Sequence, residues 1–301
     1  MTTTTTTTAA PKAAELPVPS PRAQVIHVRV PFFQAVYVIW LRDMLRFTRD
    51  RARLIGSLAQ PVLFLVVFGA GLSSALGGGH IFPAGFTYLQ FMFPGVVGMA
   101  VLFPSIFSAM SIVWDREFGF LREILVAPID RSAVAVGKAL GGATQAMVGG
   151  IIMLIFAPFI GVKLTVLGVL ELIPLLFLLS IALTAFGIAI ASRMKSMQGF
   201  QVIMNFLMMP MLFLSGALFP LTNLPGWMTV LTRFDPVTYG ISPVRTALFS
   251  NGGLSQAVLD RIGAEVTIGG YTLPLMLDVA IVAVIGAATL SFAIRALQKR
   301  D

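Results

Sequence analysis

LIGSLAQPVLFLVVFGAGLSSALGGGHIFPAGFTYLQFMFPGVVGMAVLFPSIFSAMSIVW, residues 54–114, contains no Asp, Glu, Lys or Arg, and only His80 interrupts its uncharged character. At ~1.5 Å rise per residue, a bilayer core takes about 20 apolar residues. The run is therefore expected to hold two membrane-spanning helices and the turn between them. Read this way, the chain is an integral membrane protein.

The rest of the sequence agrees. Of its 301 residues 57% are hydrophobic and only 11% charged, against about 25% charged in an ordinary globular domain. So little water-facing surface implies one membrane domain with short loops rather than two soluble domains. The absence of cysteine excludes a disulfide framework, thiol catalysis and Cys-based metal sites. The net charge of +8 is read through its placement in loops, as an orientation signal, and implies no nucleic-acid partner.

Hydrophobic runs place six spans near 54–76, 87–113, 134–160, 166–191, 198–220 and 273–295. Arg42, Arg46, Arg49, Arg51 and Arg53 precede the first; Arg116, Arg122 and Arg131 lie between the second and third. Arg193 and Lys195 separate the fourth from the fifth, and Arg295, Lys299 and Arg300 follow the sixth. All of these fall on one side. The opposite short loops hold His80 and Lys163, and the longer segment after the fifth span holds Arg233, Arg245 and Arg261. The positive-inside rule then places both termini in the cytoplasm.

Residues 1–30 begin with Thr2 to Thr8 and lack the apolar core of a signal peptide; a disordered cytoplasmic tail is expected. Over 31–53 the pattern changes. Phe33, Tyr37, Trp40, Met44 and Phe47 recur at helical spacing, with Arg42, Arg46, Arg49 and Arg53 on the opposite face. This predicts an amphipathic interfacial helix, its rings in the acyl boundary and its arginines toward anionic headgroups. It either anchors the topology or transmits motion, and the two roles are compatible.

The most informative polar segment is Trp114-Asp-Arg-Glu-Phe-Gly-Phe-Leu-Arg-Glu-Ile-Leu-Val-Ala-Pro-Ile-Asp-Arg131. Phe118, Leu121 and Leu125 form an apolar stripe beside charged residues, and Pro128 stops the helix. Such a stripe is expected to meet a membrane or protein surface; a solvated inner loop is the plain alternative. Followed by Ser132-Ala-Val-Ala-Val-Gly-Lys138, the segment resembles the cytoplasmic coupling segment of type-2 ATP-binding-cassette (ABC) exporter permeases. A second likeness lies in Phe213-Leu-Ser-Gly-Ala-Leu-Phe-Pro220, Leu224-Pro-Gly-Trp227 and Asp235-Pro-Val-Thr-Tyr239, which resemble the family's outer segment before its last span. The similarity runs over residues 31–300 and is nearest to the daunorubicin-resistance and nodulation-type permeases.

The resemblance implies a permease that pairs with a second copy or a related permease, as a homo- or heterodimer, and docks two cytoplasmic ATP-binding subunits. ATP and Mg would be bound by those partners, with no cofactor in this chain. Coupling falls to Asp115, Arg116, Glu117, Phe118, Leu121, Arg122, Glu123 and Pro128. The residues themselves agree that the chain is not the enzyme: Gly137-Lys138 is followed by Ala139 and has no Gly five positions earlier, so the phosphate-cradling GxxxxGK[ST] loop is missing. His27 and His80 lie in no HExxH, and Ser215 in no GxSxG.

Segment 221–272 is too long for a turn and is cut by Pro225, Pro236 and Pro243 into pieces shorter than the membrane. Short outer re-entrant helices are expected, with Trp227 as an interfacial anchor and a hairpin over Glu265–Leu273. Glu171 and Asp278 lie near the outer ends of spans, where a hydrated acid is the plain reading and a functional acid the alternative. Phe200, Met204, Phe206, Met208, Met209, Met211 and Phe213 enrich the fifth span in adaptable side chains. Met204, Asn205 and Met208 are the candidate cargo path, against ordinary packing.

The expectation is an all-α permease domain over 54–301 in a bacterial plasma (inner) membrane, exporting hydrophobic or amphipathic compounds such as drug-like molecules or lipids. A permease for lipid-linked polysaccharide and an ion-gradient-driven secondary transporter remain alternatives; the latter would show repeat symmetry with broken helices.

Overall fold

The computed structural model describes residues 30–76, 86–118, 130–221, 224–253, 258–259, 262–263, 266–268 and 271–298. In chain order these form α1 (Phe32–Arg49), α2 (Arg51–Leu76), α3 (Tyr88–Ser108), α4 (Met110–Glu117), α5 (Arg131–Leu154), α6 (Ala157–Ile160) and α7 (Val166–Ala191). Then follow α8 (Met197–Leu214), α9 (Gly226–Phe234), α10 (Pro236–Asn251), the strands β1 (Thr267–Ile268) and β2 (Tyr271–Thr272), and α11 (Leu275–Gln298). The protein is an all-α membrane protein with one small antiparallel hairpin, in which Thr267 faces Thr272 and Ile268 faces Tyr271. The tail over 1–29 and the stretch 119–129 lie outside the described residues.

Helices begin where the sequence supplies an oxygen for the first unpaired N–H groups. Thr87 and Gln90 cap α3 reciprocally, while Thr165, Ser196 and Asp235 cap α7, α8 and α10. At the start of α5, Asp130 accepts from the Ser132 hydroxyl and backbone N–H, which hold its carboxyl below the ordinary aspartate range. Pro225 precedes α9 and Pro236 opens α10, as their fixed φ permits. Pro243, expected to break the outer segment again, instead lies inside a continuous α10. Seven residues of α10 precede it, so its helix is already nucleated there.

Four stretches are long and apolar enough to cross a membrane: Tyr88–Glu117, spanning α3 and α4, and the helices α7, α8 and α11. Counting α1 with the first part of α2, which meet at 70°, as one broken span gives five. By length and composition the described residues therefore support four or five spans, where the sequence led us to expect six. Helix α5 is 24 residues long, but Lys138, Thr144, Gln145 and its glycines dilute its apolar content. Its polar groups are instead met by neighbouring helices. Lys138 reaches Ser111 at 2.9 Å, and the Gln145 amide donates to the Asp43 carbonyl at 3.2 Å.

Helix α3 is the centre of the bundle, with Phe91 through Leu102 fully enclosed by α2, α5, α7 and α10. Lipid is as apolar as leucine, so helices here associate through close packing of small residues. Gly142 of α5 illustrates this: a Cβ there would lie 2.1 Å from the Ser108 hydroxyl and 2.8 Å from the Thr184 methyl.

The same device changes the reading of α1. Rather than lying on the leaflet alone, α1 packs along α5, with Ala35 and Val36 buried and Phe33 and Tyr37 exposed. A Cβ on Gly137 would stand 2.9 Å from Ile39, and one on Gly141 3.1 Å from Asp43. The Gly137–Gly141 pair is thus the seat of α1. The Trp40 indole fixes the register by donating to the Thr144 hydroxyl at 3.1 Å.

Candidate functional site

The charged end of α4 is built from four consecutive residues whose side chains diverge to three different elements. Asp115 meets the Lys138 ammonium of α5 at 2.8 Å, and that ammonium also donates to the Ser111 hydroxyl at 2.9 Å. The Lys138 side chain is only 3% exposed. A buried ammonium is costly unless paired and hydrogen-bonded, so α4 and α5 are pinned together at this level.

Arg116 and Glu117 reach across to the turn between α7 and α8. The Arg116 guanidinium donates to the Ser192 carbonyl at 3.1 Å and to the Met194 carbonyl. Glu117 Oε2 accepts from the Met197 backbone N–H at 2.9 Å. The signs suit the helices: cationic Arg116 meets the carbonyl-rich end of α7, anionic Glu117 the N–H-rich start of α8. One dipeptide therefore caps two helices of opposite polarity and fixes the turn joining them.

Phe118 differs from its neighbours. It is 60% exposed, with its ring against Trp114 at 5.8 Å, and the Arg46 guanidinium of α1 sits over Trp114 at 5.6 Å. Asp115, Arg116, Glu117 and Phe118 are thus brought together, the first three turned toward the chain's own helices and the fourth outward. Leu121, Arg122, Glu123 and Pro128 lie outside the described residues. Sequence reasoning did not identify Lys138, Ser192, Met194 and Met197 as partners of this site. Only Lys138 carried a signal, because a lysine within an apolar helix requires a counter-charge.

The fifth-span residues are divided. Met204 and Met208 are buried against the core, whereas Asn205 is exposed on another face of α8 with Val202, Phe206 and Met209. They do not form one surface within a single chain.

At the end of the bundle away from the α4 cluster, two expectations are resolved in opposite directions. Glu171 is exposed and accepts from the Asn251 amide at 2.8 Å, in keeping with an interfacial acid. Asp278 is only 1% exposed in the first turn of α11, so it is a buried acid and not a hydrated one. Both α7 and α10 pack on α11. Trp227 is 67% exposed on α9, as an interfacial anchor requires. Among the described residues, no group of three His, Asp or Glu is placed to hold a metal.

Residues 34–249 match the ABC-2 type transporter family model. The chain is 31% identical over 216 residues to the putative transport permease ycf38 of Cyanophora paradoxa, covering 71% of this chain and 74% of that protein. It is 28% identical over 220 residues to the inner membrane transport permease YadH of Escherichia coli K12, covering 71% and 82%. Nodulation protein J of Rhizobium meliloti is 28% identical over 222 residues, covering 71% and 80%. The matched region runs from α1 to the end of α10 and includes the whole of the α4 cluster, and this chain belongs to the ABC-2 type transporter family of multi-pass membrane permeases.

Proposed function

We propose that the chain is the membrane subunit of an ATP-driven exporter, working as a permease pair with two cytoplasmic ATP-binding subunits. The observation that carries the reading is the α4 cluster. Its last residues cap α7 and α8 and pair with α5, so a push on α4 is delivered to three helices at once. The exposed Phe118 belongs to the surface that meets the partner. ATP and Mg belong to those partners. A hydrophobic or amphipathic cargo follows from the scarcity of charge on the spans. The exposed face of α8 around Asn205 then lines a path between two permease copies, with Met204 and Met208 setting its position from behind.

The test is made on the tagged chain purified from native membranes. It is expected to bring down one ATP-binding chain per permease chain, with hydrolysis stimulated by added lipophilic compounds. Exchanging the charges in Arg116→Glu/Glu117→Arg places an anion on the α7 carbonyls and a cation on the α8 N–H groups. Each misplaced charge costs about 0.3–1 kcal/mol at a helix end, a small loss of stability. The larger effect is on coupling: basal hydrolysis persists while compound stimulation disappears. Purification without any ATP-hydrolysing partner rejects the exporter reading, and full stimulation in the exchanged variant rejects the transmission route.

Orientation is tested separately. We place the α4 cluster in the cytoplasm because the arginines before α2, around α4 and after α7 share one side. The chain has no native cysteine, so single cysteines report cleanly. An impermeant thiol reagent on intact cells is expected to label Ser250→Cys and to spare Ser20→Cys. The opposite labelling inverts the topology and removes the cluster from the ATP side.

A further inference from the structure

Beside the α4 cluster, a crevice of about 260 Å³ opens between α2, α3 and α5. Its walls are mixed. Phe47, Leu54, Phe103 and Phe107 supply apolar lining, and Gln60 and Gln145 supply amides. Gln145 and Phe47 also border a small polar recess formed with Asp43, Arg46 and Lys138. Of its α2 lining, Gly56 and Gln60 are exposed.

The charges at the polar end do not cancel. Lys138 is paired with Asp115 at 2.8 Å, and Asp43 with Arg42 at 3.4 Å. Arg46 stands over Trp114 with no carboxylate at ion-pair distance among the described residues. Arg49, Asp50 and Arg51 follow at the α1–α2 junction, all exposed, so the edge keeps a net positive charge. A cationic rim above an apolar slot open to the membrane complements an amphiphile with an anionic head and an acyl tail.

We propose that this crevice is a binding site for an anionic phospholipid of the surrounding leaflet. Its headgroup phosphate lies against Arg46 and one acyl chain enters between Leu54, Phe103 and Phe107. A lipid seated there wedges α1–α2 against α3 and α5, next to the Lys138–Asp115 pair, whatever the protein moves. The site therefore does not rest on the exporter reading.

Gly56 provides the test, because it lines the crevice and a Cβ there would meet nothing within 4 Å. A side chain can therefore be started at this position without its Cβ meeting a neighbour, and a phenylalanine is large enough to fill the opening. The full chain is reconstituted with phosphatidylglycerol or phosphatidylcholine carrying the same photoreactive group midway along one acyl chain, and adducts are mapped by mass spectrometry. Adducts are expected on 54–60 and 103–107, about fivefold more with phosphatidylglycerol, the ratio one arginine at an anionic headgroup supplies. Gly56→Phe should remove them while Gly56→Ala, which leaves the opening clear, retains them. Arg46→Glu should abolish the headgroup preference. Unchanged melting temperatures in all three variants exclude misfolding as the cause. Equal labelling by both lipids, or crevice adducts that survive Gly56→Phe, overturns the proposal. So does labelling confined to outward faces such as Phe206 and Val284.

Discussion

Replacing Lys138 by Met is expected to destabilise the protein by roughly 3–5 kcal/mol, the cost of removing one partner from a buried ion pair. The lysine side chain is 3% exposed and its ammonium is shared between Asp115 and Ser111, so its loss leaves the Asp115 carboxylate with no cation in a confined site. Asp115→Asn should be nearly as damaging, because it strands the more deeply buried charge. The double variant Lys138→Met/Asp115→Leu is predicted to recover much of the melting temperature, since apolar replacement of a whole buried pair is often neutral or stabilising. Thermal melting in detergent measures all three. If the pair also transmits force, the stable double variant will still hydrolyse ATP in its assembled complex yet fail to respond to transported compounds. A double variant no more stable than either single would show that the two residues are not coupled. Full compound stimulation in a stable double variant would confine the pair to structure.

What the sequence disclosed and what it hid follow physical lines. The fourth span was legible to the residue, 166–191, because a near-continuous apolar run begins after a threonine cap and ends at polar Ser192 and Arg193. The outer hairpin was equally legible from its alternation about a glycine pair. Helix α1 was legible as an amphipathic helix from its aromatic and arginine stripes, but its packing partner α5 was not. Its seat is the small-residue spacing Gly137–Gly141, a pattern that signals close helix contact without naming the helix that makes it. The expected count of six spans depended on α5, whose Lys138 and Gln145 are tolerated only through partners distant in sequence.

The α4 residues were legible as a group but not in their roles. Charge spacing marks Asp115, Arg116 and Glu117 as a polar segment beside the membrane, and the bland expectation for such charges is to face water or another protein. That the first pairs inward and the next two cap α7 and α8 depends on the turn at 192–197 arriving beside them. Backbone carbonyls and N–H groups have no sequence identity, so no pattern in the chain announces them as ligands. Met204 and Met208 show the converse. Their residue type marked an adaptable surface, but the helix phase set them against the core and turned Asn205 away.

Arg245 supplies the strongest expected effect at the other end of the bundle. Its guanidinium is 2% exposed, lies over the Phe91 ring at 4.6 Å, and donates to the Gly216 carbonyl and, at 3.5 Å, to the Gly263 carbonyl. It thereby ties α10 to the turn after α8 and to the segment leading into the hairpin. Gly216 has φ of +74°, a left-handed conformation that costs other residues more, and its carbonyl needs this donor where water is excluded. Arg245→Ala is expected to cost roughly 3 kcal/mol, since it removes charge-assisted hydrogen bonds and leaves buried acceptors unmet. Arg245→Lys should recover only part, because a single ammonium cannot reproduce the planar fork or its stacking on Phe91. The damage should be local. Phe91 and Asp115 lie 24 residues apart along α3 and α4, a separation of roughly 35 Å along a helix, too far for direct contact with the coupling end. In an Arg245→Ala background a cysteine at Ser242, buried in the parent protein, should become reactive to a thiol reagent while the ATP-binding partner still copurifies. Loss of the partner together with the outer segment would show that the two ends fold as one unit, and a melting temperature within a degree or two of the parent would remove Arg245 from the list of residues that hold the outer segment.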